Sequence, residues 1–502
     1  MLRCATLADQ LRARGTRTRF VCREEAGHLI DLLRARNHPV SVLPAAGQAD
    51  TAADDARATI EAVGDEWPDW MVVDHYRLDR EWERLLSPTA GRLLVIDDLA
   101  DREHDCDVLL DQNYSTPGAP RHEGLLPERC ALLAGPFYAL LRPEYAQHRA
   151  IMPPRDGTVR RVLVYFGGAD PANMTAQAFN ALCAPEFSHL SVDLVIGTNH
   201  PDRENLSARA AARPDTCVYG TRAHLADLMA RADLAVGAGG VTTWERMCLG
   251  LPSLVVSIAE NQRPTCEALG AANLIAYVGD GRTVGSAQIG AALKPLIVDR
   301  DRLQQLSSRG QLLVDGLGAS RVADVLLGTD VDDLMRTRRL LHESDACPSG
   351  FDTFRFAWID RCREDEVLAL RNQPHVTAQM RSQHAITAED HRSFLGHYPQ
   401  QDRYDFVLID ASRDRYVGVF YVTHLRSSPE IGKYIGDSDY LGSGVASRAT
   451  RSLLEFCRLR TGLRRLGAIT RRDNQRNIAL NEKLGFRRSG AEGDYVLMTV
   501  DL

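Results

Sequence analysis

The chain has 502 residues, 44% hydrophobic and 25% charged, an ordinary globular composition too long for one compact core, so more than one domain is expected. Lys and Arg total 60 against 67 Asp and Glu, a net charge of -7, which argues against nucleic acid or an anionic membrane as partner and leaves any phosphate ligand to a local site. The 11 cysteines are scattered without C-x-x-C pairs or short metal-ligand spacings, so reduced thiols and no metal are expected; no apolar stretch reads as a signal peptide or a membrane span, so a cytoplasmic protein without membrane insertion is expected.

In chain order, residues 2–14 read as an amphipathic helix, with Leu2, Leu7 and Leu11 near helical spacing and Gly15 as its stop. Strands are expected at residues 19–22, 70–74, 93–97, 162–166, 191–196 and 234–236, each followed by polar or glycine residues and then a helical pattern. This alternation predicts an α/β chain with parallel sheets, in which ligands gather at the carboxyl ends of strands, near Asp74, Asp97, Gly167 and Gly237. Two such units are expected in tandem, residues 1–150 and 151–332. A polar linker over 333–350 and a mixed α/β domain over 351–502 come next. The start of the first unit is unusual: a helix precedes the first predicted strand, so the central strand of a Rossmann-like sheet and its ligand loop are expected to be missing.

Two glycine-rich turns carry the chemistry. Gly237-Ala238-Gly239-Gly240-Val241-Thr242-Thr243-Trp244-Glu245 follows a strand and opens a helix; a small-residue turn there suits a diphosphate, and a carboxylate one turn on can accept both ribose hydroxyls. A loop that only packs helix on sheet is the other reading. The second turn, Gly442-Ser443-Gly444-Val445-Ala446, succeeds the predicted strand 430–435 and opens another helix, where backbone N–H groups can approach a pyrophosphate without a lysine. Taken alone, this too reads equally as an ordinary turn.

The segment downstream of the second turn gives it weight. A strand at 466–470 and then Asn474-Gln475-Arg476-Asn477-Ile478-Ala479-Leu480-Asn481-Glu482-Lys483-Leu484-Gly485-Phe486 resemble the acetyl-CoA-binding core of the GNAT acetyltransferases, over about residues 352–502. The resemblance implies acetyl-CoA as cofactor, held by the amides of Gly442, Ser443, Gly444, Val445 and Ala446, with Asn474 a further contact. Two departures stand out: Leu441 occupies the place of a usual Gln or Arg, and Asn481 that of the Tyr often used as general acid. An amide cannot be that acid, which leaves the proton source open. Leu370-Arg371-Asn372-Gln373 and Ile386-Thr387-Ala388-Glu389-Asp390-His391 resemble acetyltransferases acting on aminodeoxy nucleotide sugars, which makes Glu389 and His391 candidates for proton handling. Thr387 to Asp390 reads equally as a helix N-cap with an acidic first turn.

The first turn resembles the nucleotide site of GT-B glycosyltransferases of the MurG kind, with Glu245 at the uridine ribose and Gly239, Gly240 and Thr242 near the diphosphate. Asp74-His75-Tyr76, Ile96-Asp97-Asp98-Leu99, Asp111-Gln112-Asn113, Gly135-Pro136-Phe137-Tyr138 and Phe166-Gly167-Gly168-Ala169-Asp170, in this order, resemble the hydrolases that release UDP from 2,4-diacetamido-2,4,6-trideoxy-altropyranose. That resemblance implies Tyr76 and Asn261 beside the sugar and Gly167, Gly168 and Asp170 at the interlobe cleft. In that family the base is a His in a G-x-G-H loop, and Met1 to Ala8 match the helix after it. Tyr76 could instead pack in the core, Asn261 sit in a turn and His75 be an ordinary loop histidine. The expectation is GT-B-like tandem Rossmann-like domains followed by a GNAT domain, acting on a UDP-linked aminodeoxy sugar by N-acetylation and by hydrolytic release of UDP. A non-catalytic UDP-sugar-binding first half and a glycosyltransferase are the alternatives.

Overall fold

The computed structural model describes residues 1–25, 27–45, 51–115, 121–168, 170–198, 200–220, 222, 224–328, 337–338, 341–342, 345–380, 384–461, 463 and 465–502. It divides into two units, Met1–Thr329 and Asp330–Leu502.

The first unit begins with the expected helix, Leu2–Ala13, which buries Ala5, Leu7, Ala8 and Leu11. Strands β1 (Phe20–Arg23) and β2 (Val40–Leu43) form a parallel pair; β3 (Trp70–Val73), β4 (Arg92–Ile96), β5 (Val108–Asp111) and β6 (Ala131–Ala134) form a separate parallel sheet in that order. Among the described residues no strand joins β1 to β3, the place where a central strand is expected.

A second sheet holds β7 (Arg161–Tyr165), β8 (Ser191–Val195), β9 (Thr216–Tyr219), β10 (Leu234–Ala238), β11 (Ser253–Ser257) and β12 (Ala276–Asp280), all parallel, in the order β12-β11-β10-β7-β8-β9. Its strands are almost wholly apolar because helices cover both faces. The chain enters at β7, winds out to β9, and returns to β10 on the other side of β7. The reversal leaves a crevice outside the carboxyl ends of β7 and β10, the usual ligand position in such sheets.

The two sheets exchange elements. The helix Gly318–Leu326, last in this unit, packs Ala319, Val322, Ala323 and Leu326 into the first sheet's core beside Leu7, Leu11, Leu94, Ile96 and Leu110. Each such buried leucine contributes about 1.5–3 kcal/mol. Arg321 fastens the crossing: it is buried, donates to Phe137 O at 2.7 Å and Asp315 Oδ1 at 2.9 Å, and stacks 3.4 Å from the Phe137 ring centroid. In the reverse direction, Arg149 from the helix Pro143–Ile151 donates to Cys248 O at 3.0 Å beneath the second sheet.

The second unit is one mixed sheet of β13 (Phe354–Trp358), β14 (Arg403–Asp410), β15 (Arg415–Thr423), β16 (Glu430–Ile435), β17 (Arg465–Arg471), β18 (Arg487–Glu492) and β19 (Tyr495–Asp501), ordered β13-β14-β15-β16-β17-β19-β18. All neighbours are antiparallel except β16 and β17, which run parallel and meet at one residue pair, Glu430 with Gly467. Beyond that pair the strands splay apart.

The segment expected to be a linker behaves differently where it is described. Arg338 is buried, donates to Arg403 O at 2.6 Å and Tyr398 O at 2.7 Å, and lies 4.9 Å from the Tyr398 ring centroid. Leu341 is also buried. A guanidinium that satisfies carbonyls and covers an aromatic ring buries its stem at little cost, so a segment that reads as polar still packs against the second unit. Arg336, Arg339, Glu343 and Ser344 of that segment, and Ala169 of the glycine motif, lie outside the described residues.

Candidate functional site

In the first unit, the switch-point crevice is built by the turns after β7 and β10. Gly167 has φ of 103°, and a Cβ at Gly167 or Gly168 would meet nothing within 4 Å, so this backbone borders open space. Asp170 does not face that space. It is buried, and its carboxylate accepts from Met174 N at 3.0 Å and Thr175 N at 2.7 Å, fixing the start of the helix Met174–Leu182. The sequence places Asp170 at a cleft; in the structure its carboxylate holds the start of the helix that follows.

After β10, Gly239 and Gly240 lead into the helix Thr242–Cys248. A Cβ on Gly239 would stand 2.1 Å from Cys266 Sγ, and one on Gly240 would stand 3.6 Å from Gln262 Nε2. Gln262 Oε1 accepts from Ile258 N at 3.1 Å, which latches the short turn Glu260–Gln262 against the glycines and leaves Asn261 exposed at its middle. Thr242 is half-buried at the helix start. Glu245 comes one turn later, its carboxyl pushed up to about 7 by burial against the opposing pull of a Tyr145 hydrogen bond and of Arg246 and Arg142.

Arg246, which sequence reasoning passed over, lies buried beneath this turn. It donates to Ala238 O at 2.7 Å and Thr243 Oγ1 at 2.9 Å, and burial lowers its guanidinium to about 10 against the Glu245 charge. The available signal was an arginine in a helix otherwise apolar on that face.

The first sheet's loops are tightly held. Asp74 accepts from Arg3 Nη2 at 2.7 Å, and Arg102 clamps the next turn by donating to His75 O at 3.0 Å and Leu78 O at 2.8 Å. His75 Nδ1 accepts from Arg77 N at 3.1 Å, and burial pushes its imidazole toward the neutral form. These are the features of an ordinary loop histidine. Tyr76 is 55% exposed and is therefore not core packing. Deeper, Asp97 accepts from Leu99 N at 3.2 Å and Ala100 N at 2.9 Å, while His104 lies 2.6 Å from Glu83 Oε1 and 3.6 Å from Asp97 Oδ2. Burial opposes the charge on His104, but the two carboxylates outweigh it and raise the imidazole to about 9.

The turns carrying Gly167-Gly168 and Gly239-Gly240 thus follow the adjacent strands β7 and β10, and Glu245 lies one turn into the helix after the second. No hydrogen bond among the described residues joins Tyr76 or Asn261 to these turns.

In the second unit, the turn after β16 is anchored from both sides. Tyr440 donates to Asp410 Oδ2 at 2.8 Å, and Arg415 pairs with Asp439 at 2.9 Å. Gly442 and Gly444 then take φ of 80° and 84°, the left-handed region, and a Cβ at either would meet nothing within 4 Å. Ser443 N donates to Tyr440 O at 3.4 Å and Val445 N to Ser443 Oγ at 3.4 Å. The N–H groups of Gly442, Gly444 and Ala446 have no protein partner among the described residues. They sit at the start of the twelve-residue helix Val445–Phe456, where an anion is favoured.

Three other expected site residues have local duties. Asn474 caps the helix Gln475–Lys483 by accepting from Asn477 N at 3.1 Å, and its Nδ2 donates to Gln379 Oε1 at 3.0 Å. Thr387 Oγ1 accepts from Asp390 N at 3.1 Å at the start of the helix Ala388–Gly396, leaving Glu389 exposed on the first turn. His391 is buried and pushed toward the neutral form by that burial against the Glu364 charge. The N-cap reading of this segment matches the geometry.

Lys433, also unnoticed in the sequence, is half-buried on β16 and donates to Asn481 Oδ1 at 2.8 Å. Among the described residues no cluster of His, Cys, Asp or Glu could hold a metal ion, and no helix is long and apolar enough to cross a membrane.

Comparison with known proteins accords with this division. Residues 360–487 match the acetyltransferase (GNAT) domain family. The spore coat polysaccharide biosynthesis protein SpsG of Bacillus subtilis is 28% identical over 200 residues, 38% of this chain and 57% of that protein, so this chain spans little more than half the length of that relative. The UDP-2,4-diacetamido-2,4,6-trideoxy-beta-L-altropyranose hydrolase of Campylobacter jejuni is 23% identical over 208 residues, 41% of this chain and 72% of that enzyme. The uncharacterised protein MJ1062 of Methanocaldococcus jannaschii is 20% identical over 440 residues, 86% of this chain and 84% of that protein, a match long enough to enter both units. The chain resembles a fusion of a UDP-sugar-hydrolase-like unit with a GNAT acetyltransferase domain.

Proposed function

We propose that this chain is a bifunctional enzyme of nucleotide-sugar metabolism, of the kind that serves pseudaminic acid synthesis. Its second unit acetylates the 4-amino group of a UDP-4-amino-4,6-dideoxy sugar with acetyl-CoA; its first unit binds the UDP carrier and releases UDP from the diacetamido product by hydrolysis. The observation that carries the reading is the pairing, in unit two, of three unpartnered amides at Gly442, Gly444 and Ala446 with the adjacent splay of β16 from β17. Those amides suit a pyrophosphate, and the unpaired edge of β16 suits an extended, amide-bearing arm such as pantetheine.

Acetyl-CoA supplies the activated acyl group. Ser443 and Tyr440 hold the glycine turn open. In unit one, Gly167, Gly168, Gly239 and Gly240 present main chain to a diphosphate, Thr242 stands beside it, and Glu245 accepts ribose hydroxyls. Asp170 and Asn474 position the two turns or their neighbouring helices. Tyr76 and Asn261, exposed on their loops, are the proposed sugar contacts. The buried placement of His391 supports a structural part for it, whereas Glu389, exposed on the first turn of its helix, stays available to a substrate. Acetylation and hydrolysis in one chain raise the local concentration of the intermediate.

The test is one experiment with three readouts on the full chain: calorimetric binding of UDP, thiol release from acetyl-CoA with a UDP-linked 4-amino sugar, and UDP release from the acetylated product. All three are expected. UDP binding and thiol release without UDP release would make unit one a substrate-presenting module; transfer of the sugar to an acceptor other than water would make it a glycosyltransferase.

A further inference from the structure

Lys433 stands on β16 three residues beyond Glu430, where β16 and β17 have ceased to pair. Across the opening, its Nζ donates to Asn481 Oδ1 at 2.8 Å, and Asn481 Nδ2 donates to Thr470 Oγ1 of β17 at 3.5 Å. Side chains therefore span the splay where main-chain bonds do not. Every neighbour in this bridge is uncharged: Asn481 from the helix Gln475–Lys483, Thr470 from β17, and Met498 of β19, whose Sδ is 4.0 Å from Asn481 Nδ2. Burial lowers the Lys433 ammonium to about 8, and among the described residues no carboxylate offsets it. A lysine that only braced two strands would gain from a counter-charge; one without it is poised to give up a proton near neutral pH.

The position has chemical meaning. The glycine cradle comes directly after β16, so a ligand anchored there by its diphosphate meets the unpaired edge of the same strand, and Lys433 with it. Acyl transfer from a thioester to an amine expels a thiolate, which needs a proton.

We propose that Lys433 is the proton donor for the leaving thiolate, held in orientation by Asn481. This rests on the acetyl-transfer reading of unit two. The amine nitrogen bonds to the acyl carbon and loses one N–H proton to solvent, the C–S bond breaks with its electron pair on sulfur, an N–H bond of Lys433 breaks and an S–H bond forms. The neutral lysine then regains a proton from solvent, which balances the one the amine released. A cysteine-like thiol titrates at about 8.5, so transfer from an ammonium near 8 is close to thermoneutral, the condition under which general-acid catalysis is most efficient.

The test uses full-length Lys433→Arg and Lys433→Met. Arginine keeps the charge and the hydrogen bond to Asn481 but does not release a proton in this pH range. Both variants are expected to bind CoA within about threefold of wild type and to lose about 100-fold in kcat, in the range of general-acid effects. Wild type is expected to show an alkaline limb near about pH 8, and that limb should vanish in both variants. A second readout needs no turnover: in the CoA complex, the ultraviolet band of the bound thiolate should appear at higher pH in Lys433→Met than in wild type, and not in Lys433→Arg. Wild-type kcat with the alkaline limb intact in Lys433→Arg, or a thiolate band indifferent to Lys433→Met, overturns the assignment while leaving acetyl transfer standing. A wild-type chain that binds CoA yet acetylates no amino-sugar acceptor overturns the acetyl-transfer reading, and this assignment with it.

Discussion

Gly239 rests on Cys266 so closely that a Cβ built on the glycine would stand 2.1 Å from the cysteine sulfur. The contact joins the turn after β10 to the helix Arg263–Ala271, so the proposed diphosphate turn and the loop bearing Asn261 hold each other in place. Gly239→Ala should therefore cost about 1–3 kcal/mol by overpacking and weaken UDP binding. Cys266→Ala, introduced second, removes the sulfur and should restore most of both. Thermal melting and UDP calorimetry on the single and double variants decide it; a double variant no better than Gly239→Ala would mean that the glycine is needed for another reason.

Glu245 gives unit one a pH dependence. Its carboxyl lies at about 7 in the folded chain against an ordinary 4.5, so the proton is held more tightly folded than unfolded. The associated stability is fully present below about pH 4.5 and is lost as pH rises through about 7, in total about 3 kcal/mol. Unit one should accordingly melt lower at about pH 8 than at about pH 6, and Glu245→Gln should flatten that part of the slope. Ribose hydroxyls favour the ionised carboxylate, so the stabilisation given by a UDP-sugar diester, whose diphosphate does not titrate in this range, should grow with pH in wild type and not in the variant.

His104 acts with the same sign at higher pH. Held between Glu83 and Asp97, its imidazole is raised from 6.5 to about 9, so its contribution is complete below about pH 6.5 and disappears as pH climbs through about 9. The shift corresponds to about 3 kcal/mol. Melting of the full chain between about pH 7 and about pH 10 should fall for wild type and fall less for His104→Gln; parallel curves would show that the buried pair of carboxylates does not control the proton.

Gly444→Asp places a carboxylate beside the three amides of the proposed diphosphate site. The open space around this Cβ means no steric clash, although φ of 84° costs a non-glycine residue about 1–2 kcal/mol. Coulomb repulsion at about 4 Å and an effective dielectric of about 20 is worth about 4 kcal/mol, enough to weaken acetyl-CoA binding about 100-fold or more. UDP binding should be untouched. Gly444→Ala carries the same backbone strain without the charge, so equal losses in the two variants would show that strain and not the anion site is responsible.

Much of the architecture is legible in the chain itself. The helix at the start, strands β7, β8, β10, β16 and β17, and both glycine turns arise from local patterns: short apolar or β-branched runs, glycines where positive φ or close approach is needed, and helical spacing after them. Arg338 reads wrongly as linker because a charged residue in a polar run looks solvated, and only the Tyr398 and Arg403 carbonyls it meets reveal otherwise.

The sequence by itself determined the kind of molecule: parallel α/β layers, then a mixed acetyltransferase domain, each with an amide-rich turn at a strand end. The tertiary structure alone decided what individual side chains do. It turned Asp170 and Asn474 into helix caps, buried His391, and brought Lys433 to Asn481 across 48 residues of chain. The reason is physical: backbone conformation answers to neighbours a few residues away, whereas burial, counter-charge and proton affinity are set by whatever the folded chain packs alongside.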